Sequence, residues 1–219
     1  MRINFKILIY LYVFIGFSIS KAGAFDDFFK AIVFDQVPVL GNLIYRGMDP
    51  NTPTEKGEPA LVFAVRSGAP KTVAFLLKQA GIQTDATNAA DETALMLAAN
   101  ANDLASANLL IEAGASVNRP HWTPLHYAAS KGHTEMMRLL IENDAYIDAE
   151  SPNGTTPLMM AAYYATPKAV KLMLEEGADP SLQNKDGQTA LDMALSKDKK
   201  VSAQYIRVFL DALEAKESR

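Results

Sequence analysis

A six-residue phrase recurs five times along the chain, and its period constrains the fold more than any other feature. The copies centre on leucines that are 34, 30, 33 and 33 residues apart, namely Leu61, Leu95, Leu125, Leu158 and Leu191. The third copy, residues 123–128, reads TPLHYA. A period near 33 with this core predicts one β-turn and two helices in each repeat. The chain is therefore predicted to fold as a stack of similar helical units.

Residues around each copy support this prediction from local chemistry. Four copies begin with a threonine, whose hydroxyl can cap the N-terminus of the helix that follows. These are Thr93, Thr123, Thr156 and Thr189. Pro124 and Pro157 then take a first-turn position, where a missing N–H costs nothing. Gly114 and Gly177 follow the second helix, where a left-handed residue ends it, and Asp144 replaces that glycine in the third repeat.

Residues 123–142 resemble an ankyrin repeat, and so do the hairpin phrases 47–51, 114–118 and 177–180. The resemblance covers almost everything after about residue 26. It implies an all-α ankyrin-repeat solenoid, in which helix-turn-helix units joined by β-hairpin loops stack between two atypical capping repeats. The predicted units are an N-terminal cap at 25–55, repeats at 56–89, 90–119, 120–153 and 154–186, and a C-terminal cap at 187–219.

The first 24 residues have the features of a secretory signal peptide. Arg2 and Lys6 precede the apolar run 7–17, and Ala22 and Ala24 frame a small-residue cleavage site. An uncleaved membrane anchor is the alternative, but the run is much shorter than the ~20 residues that span a bilayer. We expect cleavage after Ala24, a periplasmic product that is not inserted in a membrane, or secretion outside the cell.

Charge and residue content argue against several classes of function. The signal region holds three basic residues and no acidic one, so the mature chain has 18 basic against 25 acidic residues, a net charge of −7. Such a surface disfavours nucleic acid as a partner, because phosphate binding needs a basic stripe. The chain has no cysteine and no nucleophile, phosphate-loop or zinc-protease motif. We therefore expect no catalytic activity and no cofactor.

The three histidines lie close together in sequence, which raises the question of a metal site. His126 and His133 fall on positions where the ankyrin resemblance implies hydrogen bonds to neighbouring hairpins. Only His121 remains unexplained, and one histidine does not make a zinc site. We therefore expect no bound metal.

Binding of a folded protein partner by a monomer is the function that the resemblance implies. In ankyrin arrays the hairpin tips and the ends of the first helices form a concave binding face. The candidate partner-binding residues are Trp122, Tyr163, Tyr164, Asn153, Thr155, Lys131, Arg66, Glu58, Glu92, Lys185 and Gln188. Two alternatives remain open: an inhibitor or immunity protein that caps a cell-wall hydrolase or toxin, and a secreted effector that binds a host protein.

The short spacing between Leu95 and Leu125 predicts an irregularity beside the only tryptophan. Three residues are missing between Asn118 and Thr123, which predicts a notch next to Trp122. Trp122 either points outward as an interface anchor or folds inward to cover the gap. The neighbouring pair 163–164 either adds to that anchor or packs between first helices.

Overall fold

The structure is a computed structural model that describes residues 23–217. Its helices follow one another in pairs, a first and a second helix in each repeat, as the period predicts. They are α1 (residues 23–33), α2 (Val37–Tyr45), α3 (Ala60–Arg66), α4 (Pro70–Leu76), α5 (Ala94–Ala101), α6 (Leu104–Glu112), α7 (Pro124–Lys131), α8 (Thr134–Glu142), α9 (Pro157–Tyr164), α10 (Pro167–Glu175), α11 (Ala190–Ser196) and α12 (Lys200–Glu217). The predicted signal peptide lies outside the described residues except for its last two.

The chain divides into two compact units, Met1–Gln83 and Thr84–Arg219. The described part of the N-terminal unit contains α1 to α4. Its buried side chains include Phe28, Ile32, Leu40 and Leu61. Burying side chains of this size contributes ~1.5–3 kcal/mol each to folding, so the atypical first helix pair has an apolar core despite its lack of the repeated phrase.

The C-terminal unit contains α5 to α12, and its first helices form a row. Helix α5 packs against α7, α7 against α9, and α9 against α11, while α12 packs against both α10 and α11. The alanine pairs at 98–99, 128–129 and 161–162 are fully buried in this row. Since alanine adds only one methyl group to the helix surface, these pairs let adjacent helices approach closely.

Helix starts and ends follow the predicted local chemistry with one exception. The hydroxyls of Thr93, Thr156 and Thr189 accept hydrogen bonds from backbone N–H groups three residues on, at 3.2, 3.4 and 3.2 Å. The hydroxyl of Thr123 instead lies 2.9 Å from Nδ1 of His126. The predicted left-handed positions are confirmed by φ values of 85° at Gly114, 99° at Gly177 and 63° at Asp144.

The hairpin loops contribute little regular β-structure. Two isolated bridges, Pro53 to Pro59 and Thr87 to Thr93, are found within the described residues, and no strand extends from either one. The predicted all-α ankyrin-repeat solenoid is confirmed. Between residues 23 and 217 there is no helix with the length and apolar character needed to cross a bilayer.

Candidate functional site

Aspartate side chains tie successive hairpins of the C-terminal unit together. Asp85 accepts hydrogen bonds from the backbone N–H and the hydroxyl of Ser116, at 2.8 and 2.6 Å. Asp148 accepts one from the backbone N–H of Asp179 at 3.1 Å. Each bond joins residues that are 31 positions apart, so it fastens one repeat to the next. We call Asp85 and Asp148 ladder residues.

Each repeat also has a tip, which is the six-residue turn that leads into its first helix. The five tips are residues 54–59, 88–93, 118–123, 151–156 and 184–189. In the fifth tip, Asn184 Oδ1 accepts hydrogen bonds from the N–H groups of Asp186 and Gln188, at 3.0 and 2.9 Å. Asn88 caps the second tip in the same way. Because Asn88 lies three residues after the ladder residue Asp85, the two tasks belong to separate side chains there.

Asn118 occupies both positions in the third repeat. Its Nδ2 donates to the carbonyl oxygen of Asp144 at 2.7 Å, and its Oδ1 accepts from the N–H of Tyr146 at 2.7 Å. These are ladder contacts to the following repeat. Within the described chain the Asn118 side chain makes no hydrogen bond to its own tip, so the third tip lacks the cap that Asn184 provides in the fifth.

The three missing residues therefore come from the segment that links a ladder residue to its first helix. Asn118 and Thr123 are five positions apart, whereas Asp85 and Thr93, like Asp148 and Thr156, are eight apart. The predicted loss of three residues between Asn118 and Thr123 is confirmed, and the tip at 118–123 keeps the length of the tip at 184–189. His121 has a φ of 70° and takes the left-handed position that Gly187 holds with 73° in the fifth tip. Histidine is one of the few residue types enriched at positive φ, and this conformational role accounts for the third histidine.

His126 joins its own tip to the next one. Its Nδ1 lies 3.2 Å from the N–H of Thr123, and its Nε2 lies 2.9 Å from the carbonyl oxygen of Thr155. Burial lowers the pKa of His126 to about 4, so the ring is neutral near pH 7. Nδ1 then accepts from Thr123 and the Nε2–H donates to Thr155. The predicted structural role is confirmed.

His133 directly precedes the second helix of the same repeat, and it bonds to helix α5 rather than to a hairpin, so the predicted hairpin contact is wrong for this histidine. Its Nε2 lies 3.1 Å from the carbonyl oxygen of Asn100, in the preceding repeat. Within residues 23–217, no group of three or more His, Asp or Glu side chains is arranged to hold a metal ion.

Trp122 packs against the buried histidine and keeps part of its surface exposed. Its ring meets that of His126 edge-on, with 5.2 Å between the ring centroids and an angle of 78°. The side chain is 37% exposed. Each of the two interpretations of Trp122 therefore describes part of its environment, since its ring packs on His126 and only about a third of its surface faces solvent.

A groove of about 360 Å³ lies beside Trp122 on the face formed by α5, α7 and α9. Its lining residues are Asn100, Trp122, His126, Tyr127, Ser130, Lys131, Met160 and Tyr164. Three of the predicted partner-binding residues, Trp122, Lys131 and Tyr164, thus lie around one groove. Met160 was not among the predicted residues, although it lies one period of 33 after Tyr127 and the repeat alignment could have identified it.

The two tyrosines at 163–164 have different roles, since Tyr164 is exposed and Tyr163 packs against it. Tyr164 lines the groove and is 62% exposed. Tyr163 packs against it with 4.5 Å between ring centroids. Lys197 Nζ lies 4.2 Å from the centroid of the Tyr163 ring, an arrangement that stabilises a cation over an aromatic face. Tyr163 therefore supports Tyr164 rather than lining the groove.

Glu92 lies in the second tip and positions Tyr127, which lines the groove. Its carboxylate accepts hydrogen bonds from the Tyr127 hydroxyl at 3.1 Å and from Asn88 Nδ2 at 2.9 Å. Burial, together with the charge of Glu92, raises the pKa of Tyr127 to about 12. The hydroxyl therefore stays protonated and keeps donating to Glu92, which holds the Tyr127 ring in place.

The remaining candidate residues lie elsewhere in the two units. In the N-terminal unit, Glu58 and Arg66 form an ion pair with each other. In the C-terminal unit, Asn153 accepts from Ser151 within the fourth tip at 2.6 Å, and Thr155 is buried.

Two further candidates belong to the fifth tip. Lys185 donates to the carbonyl oxygen of Pro152 at 2.7 Å, and Gln188 accepts from Asn184 at 3.3 Å. The structure does not bring these residues to the groove. Their polar groups serve contacts within and between tips.

Comparison with known proteins agrees with this geometry. The family model for ankyrin repeats (3 copies) matches residues 28–121, 118–184 and 147–214. The chain belongs to the ankyrin repeat family. Ankyrin repeats are generally non-catalytic modules that mediate protein–protein interactions.

Curated relatives share the repeat region and are much longer proteins. The chain is 32% identical over 161 residues to the nuclear factor NF-kappa-B p105 subunit of Gallus gallus, which covers 70% of this chain and 16% of that protein. It is 39% identical over 72 residues to protein phosphatase 1 regulatory subunit 12A of Mus musculus, covering 33% of this chain and 7% of that protein. The chain thus spans only a small part of the relatives it matches.

Two solved bacterial structures match most of the ankyrin repeat chain. One is a chain of the complex between the Bd0816 predatory endopeptidase of Bdellovibrio bacteriovorus and immunity protein Bd3460, with a TM-score of 0.72, 28% identity, and coverage of 83% of this chain and 96% of that one. The other is an ankyrin repeat domain from Acinetobacter baumannii AYE, with a TM-score of 0.73, 24% identity and the same coverage. The second likeness shows the fold alone.

Proposed function

We propose that this ankyrin repeat protein binds one folded protein partner through the groove face of its C-terminal unit. The observation that carries the proposal is the shared position of Trp122 and Tyr164, two partly exposed aromatic side chains that line one groove. Exposed aromatic clusters are costly for solubility and mark interaction sites. Tryptophan and tyrosine are also the residues most enriched among interface hot spots.

The rigidity of the groove supports the same function. Trp122 is held by its edge contact with His126, and Tyr164 by its contact with Tyr163. Glu92 holds Tyr127 by a hydrogen bond. Side chains that are ordered before binding lose less conformational entropy when a partner arrives, so a preorganised surface gains affinity.

Inhibition of a peptidase is the second candidate, and one observation favours it. The chain is 28% identical to a chain of a solved complex between a predatory endopeptidase and an immunity protein, with coverage of 83% and 96%. An ankyrin repeat protein of this kind would act by covering a partner enzyme. In this second candidate the partner is a folded enzyme of the same compartment. The test is whether the purified chain inhibits the activity of that enzyme.

Export to a bacterial periplasm completes the proposal. It is supported by Arg2 and Lys6 before an apolar run, and by the small residues at 22–24. Cell fractionation should recover the protein in the periplasm, lighter than the full product by the mass of residues 1–24. Full-length protein in the inner membrane would contradict the proposal.

Substitution of Trp122 tests the binding site directly. Trp122→Ala should weaken partner capture at least tenfold, because truncating a hot spot costs ~2 kcal/mol or more in binding, with little change in melting temperature. The matched control is Tyr146→Ala, since Tyr146 is an aromatic residue 69% exposed that does not line the groove. A large fall in melting temperature with unaltered affinity of the folded protein would assign Trp122 to the core instead.

A further inference from the structure

We infer that the groove beside Trp122 receives a loop segment of the partner that carries a carboxylate next to an apolar side chain. This inference rests on the proposed function, since it names the chemistry of the partner that the groove selects. It follows from three properties of the groove: its unpaired hydrogen-bond donors, its charge and its aromatic walls.

The unpaired polar groups around the groove are mainly donors. Lys131 Nζ and Trp122 Nε1 have no hydrogen-bond or ion-pair partner among residues 23–217. The side-chain amide of Asn100 is also unpaired there, and it offers two donors and one acceptor. An ammonium group and an indole N–H donate and cannot accept. Ser130 and Tyr127 already donate, to the Tyr127 carbonyl oxygen at 2.8 Å and to Glu92 at 3.1 Å. A ligand that fits the remaining groups must therefore supply acceptors.

The charge of the groove differs from that of the whole protein. The chain has a formal net charge of −4, yet the groove lining contains Lys131 and no Asp or Glu. Lys197 lies over the Tyr163 ring and has no carboxylate partner in the described chain. Glu92 keeps its negative charge, but each of its oxygens already accepts a hydrogen bond, one from the groove residue Tyr127 and one from Asn88. Lys131 is therefore the charged group of the groove lining that has no partner among the described residues. An acidic group is therefore the complementary one at this face.

The walls of the groove determine the rest of the occupant. Trp122 and Tyr164 present aromatic surface, and Met160 adds a flexible apolar side chain. A volume of about 360 Å³ is near the lower end of the ~300–1,000 Å³ typical of ligand pockets. It has room for a few side chains of a loop but not for a helix, so an apolar side chain accompanies the carboxylate.

Blocked peptides provide a direct test with the protein purified after expression of its full gene. The probes are acetylated and amidated tetrapeptides with a phenylalanyl-glutamate core, the same core with glutamine, and the same core with alanine in place of phenylalanine. Trp122 is the only tryptophan of the chain. Its fluorescence and its indole N–H resonance therefore report on this groove alone.

The phenylalanyl-glutamate peptide should bind at least about threefold more tightly than the glutamine peptide, the range expected for a partly exposed ion pair. It should also bind more tightly than the alanine peptide. Lys131→Gln should remove the preference for glutamate. Lys168→Gln, which neutralises an exposed lysine on α10 outside the groove, should preserve it.

Several results would overturn the inference. Equal binding of the glutamate and glutamine peptides would do so, as would an equal effect of both lysine substitutions or no binding of any peptide up to about 10 mM. A peptide with a free C-terminal carboxylate that binds more tightly than the internal glutamate would assign the groove to chain ends. If these results occur while Trp122→Ala still weakens partner capture, the inference fails and the proposed function stands. If Trp122→Ala leaves capture unchanged, the proposed site itself fails.

Discussion

The third and fifth tips have the same length, and their left-handed residues adopt the same conformation, yet they present different surfaces. In the fifth tip, Asn184 caps its own turn and Gln188 folds back on to Asn184. In the third tip, Asn118 bonds to the next repeat, and Trp122 stands at the position of Gln188. The fifth tip uses its polar groups internally, whereas the third leaves an aromatic side chain at the edge of a groove.

The comparison shows how the loss of three residues from a repeat can leave an aromatic side chain at the edge of a groove. With three residues fewer, the third repeat has a single asparagine for two tasks, and the inter-repeat contact is the one that it keeps. The uncapped tip then packs by way of Trp122 on His126. The contacts of Asn118 with the next repeat are preserved, and the irregular tip leaves part of Trp122 exposed.

The largest effect that we expect is a pH dependence of the free energy of unfolding. Its pH range should differ between the third repeat and the fifth. Folding lowers the pKa of His126 to about 4 from ~6.5 in the unfolded chain. The unfolded state therefore binds a proton first, and the free energy of unfolding should fall as pH drops from ~6.5 to ~4, with a slope approaching ~1.4 kcal/mol per pH unit. Urea unfolding across this range should show the loss in the wild type and not in His126→Met.

The fifth repeat should respond in another pH window. Asp192 replaces histidine there, and hydrogen bonds from Thr189 lower its pKa. A carboxylate with a lowered pKa stabilises the fold above its unfolded pKa of ~3.9 and loses that contribution as pH falls further. Asp192→Asn should therefore alter stability mainly above pH ~4.

An identical pH profile for wild type and His126→Met would contradict the assignment of the first pH effect to His126.

The next effect is the loss of the His126 bridge at neutral pH. Methionine occupies this position in the second and fourth repeats, where Met96 sulfur accepts from the N–H of Thr93 at 3.5 Å. In His126→Met the buried carbonyl oxygen of Thr155 would lack its donor, at a cost of ~1–3 kcal/mol in unfolding free energy. Chemical denaturation measures this cost. Met96→Leu is the matched control and should cost less than ~1.5 kcal/mol.

A third experiment restores the missing segment. Insertion of Ala-Glu-Ser after Asn118 copies residues 149–151, which separate the ladder residue from its tip in the fourth repeat. Ser151 is the first residue of the fourth tip and accepts from the N–H of Thr155 at 3.0 Å, so the added serine can cap the third tip in the same way. Trp122 should then leave its contact with His126, and partner affinity should fall at least about tenfold, or ~1.4 kcal/mol. Binding and melting curves on the same samples test this. Full affinity after insertion would show that the deletion is not what builds the groove.

The smallest expected effect compares the two asparagines. Asn118→Ala should lower stability by ~1 kcal/mol and speed amide exchange at Tyr146, because two bonds between repeats are lost. Asn184→Ala should speed exchange only at Asp186 and Gln188 in its own tip. Hydrogen exchange distinguishes the two patterns. Protection at Tyr146 that survives Asn118→Ala would remove the double role of Asn118.

Much of the fold was predictable because its determinants are local. The period of 33 predicted the helix pairs, and the threonines and prolines predicted where first helices begin. Gly114, Gly177 and Asp144 were correctly predicted to end helices in the left-handed conformation. The features that begin and end the helices depend on residues within a few positions of one another, and the period is read directly from the amino-acid order, so the sequence alone determines both.

The candidate site was only partly predictable. Trp122, Lys131 and Tyr164 were among the predicted residues and line one groove. Others in the same set, such as Glu58 and Arg66, pair with each other in the N-terminal unit. The ankyrin pattern indicates which positions face outward, but it does not indicate which outward side chains are already bonded.

The sequence by itself determined the repeat family, the helix pairs, the caps and an irregularity near Trp122. The tertiary structure decided which of its two tasks Asn118 performs, because the competing partners are backbone groups 26 and 28 residues away. It also decided how Trp122 lies, since that depends on the buried ring of His126 and on the carbonyl oxygen of Thr155 that orients it. Contacts between repeats are not encoded at short range, and the groove exists only when the stack has formed.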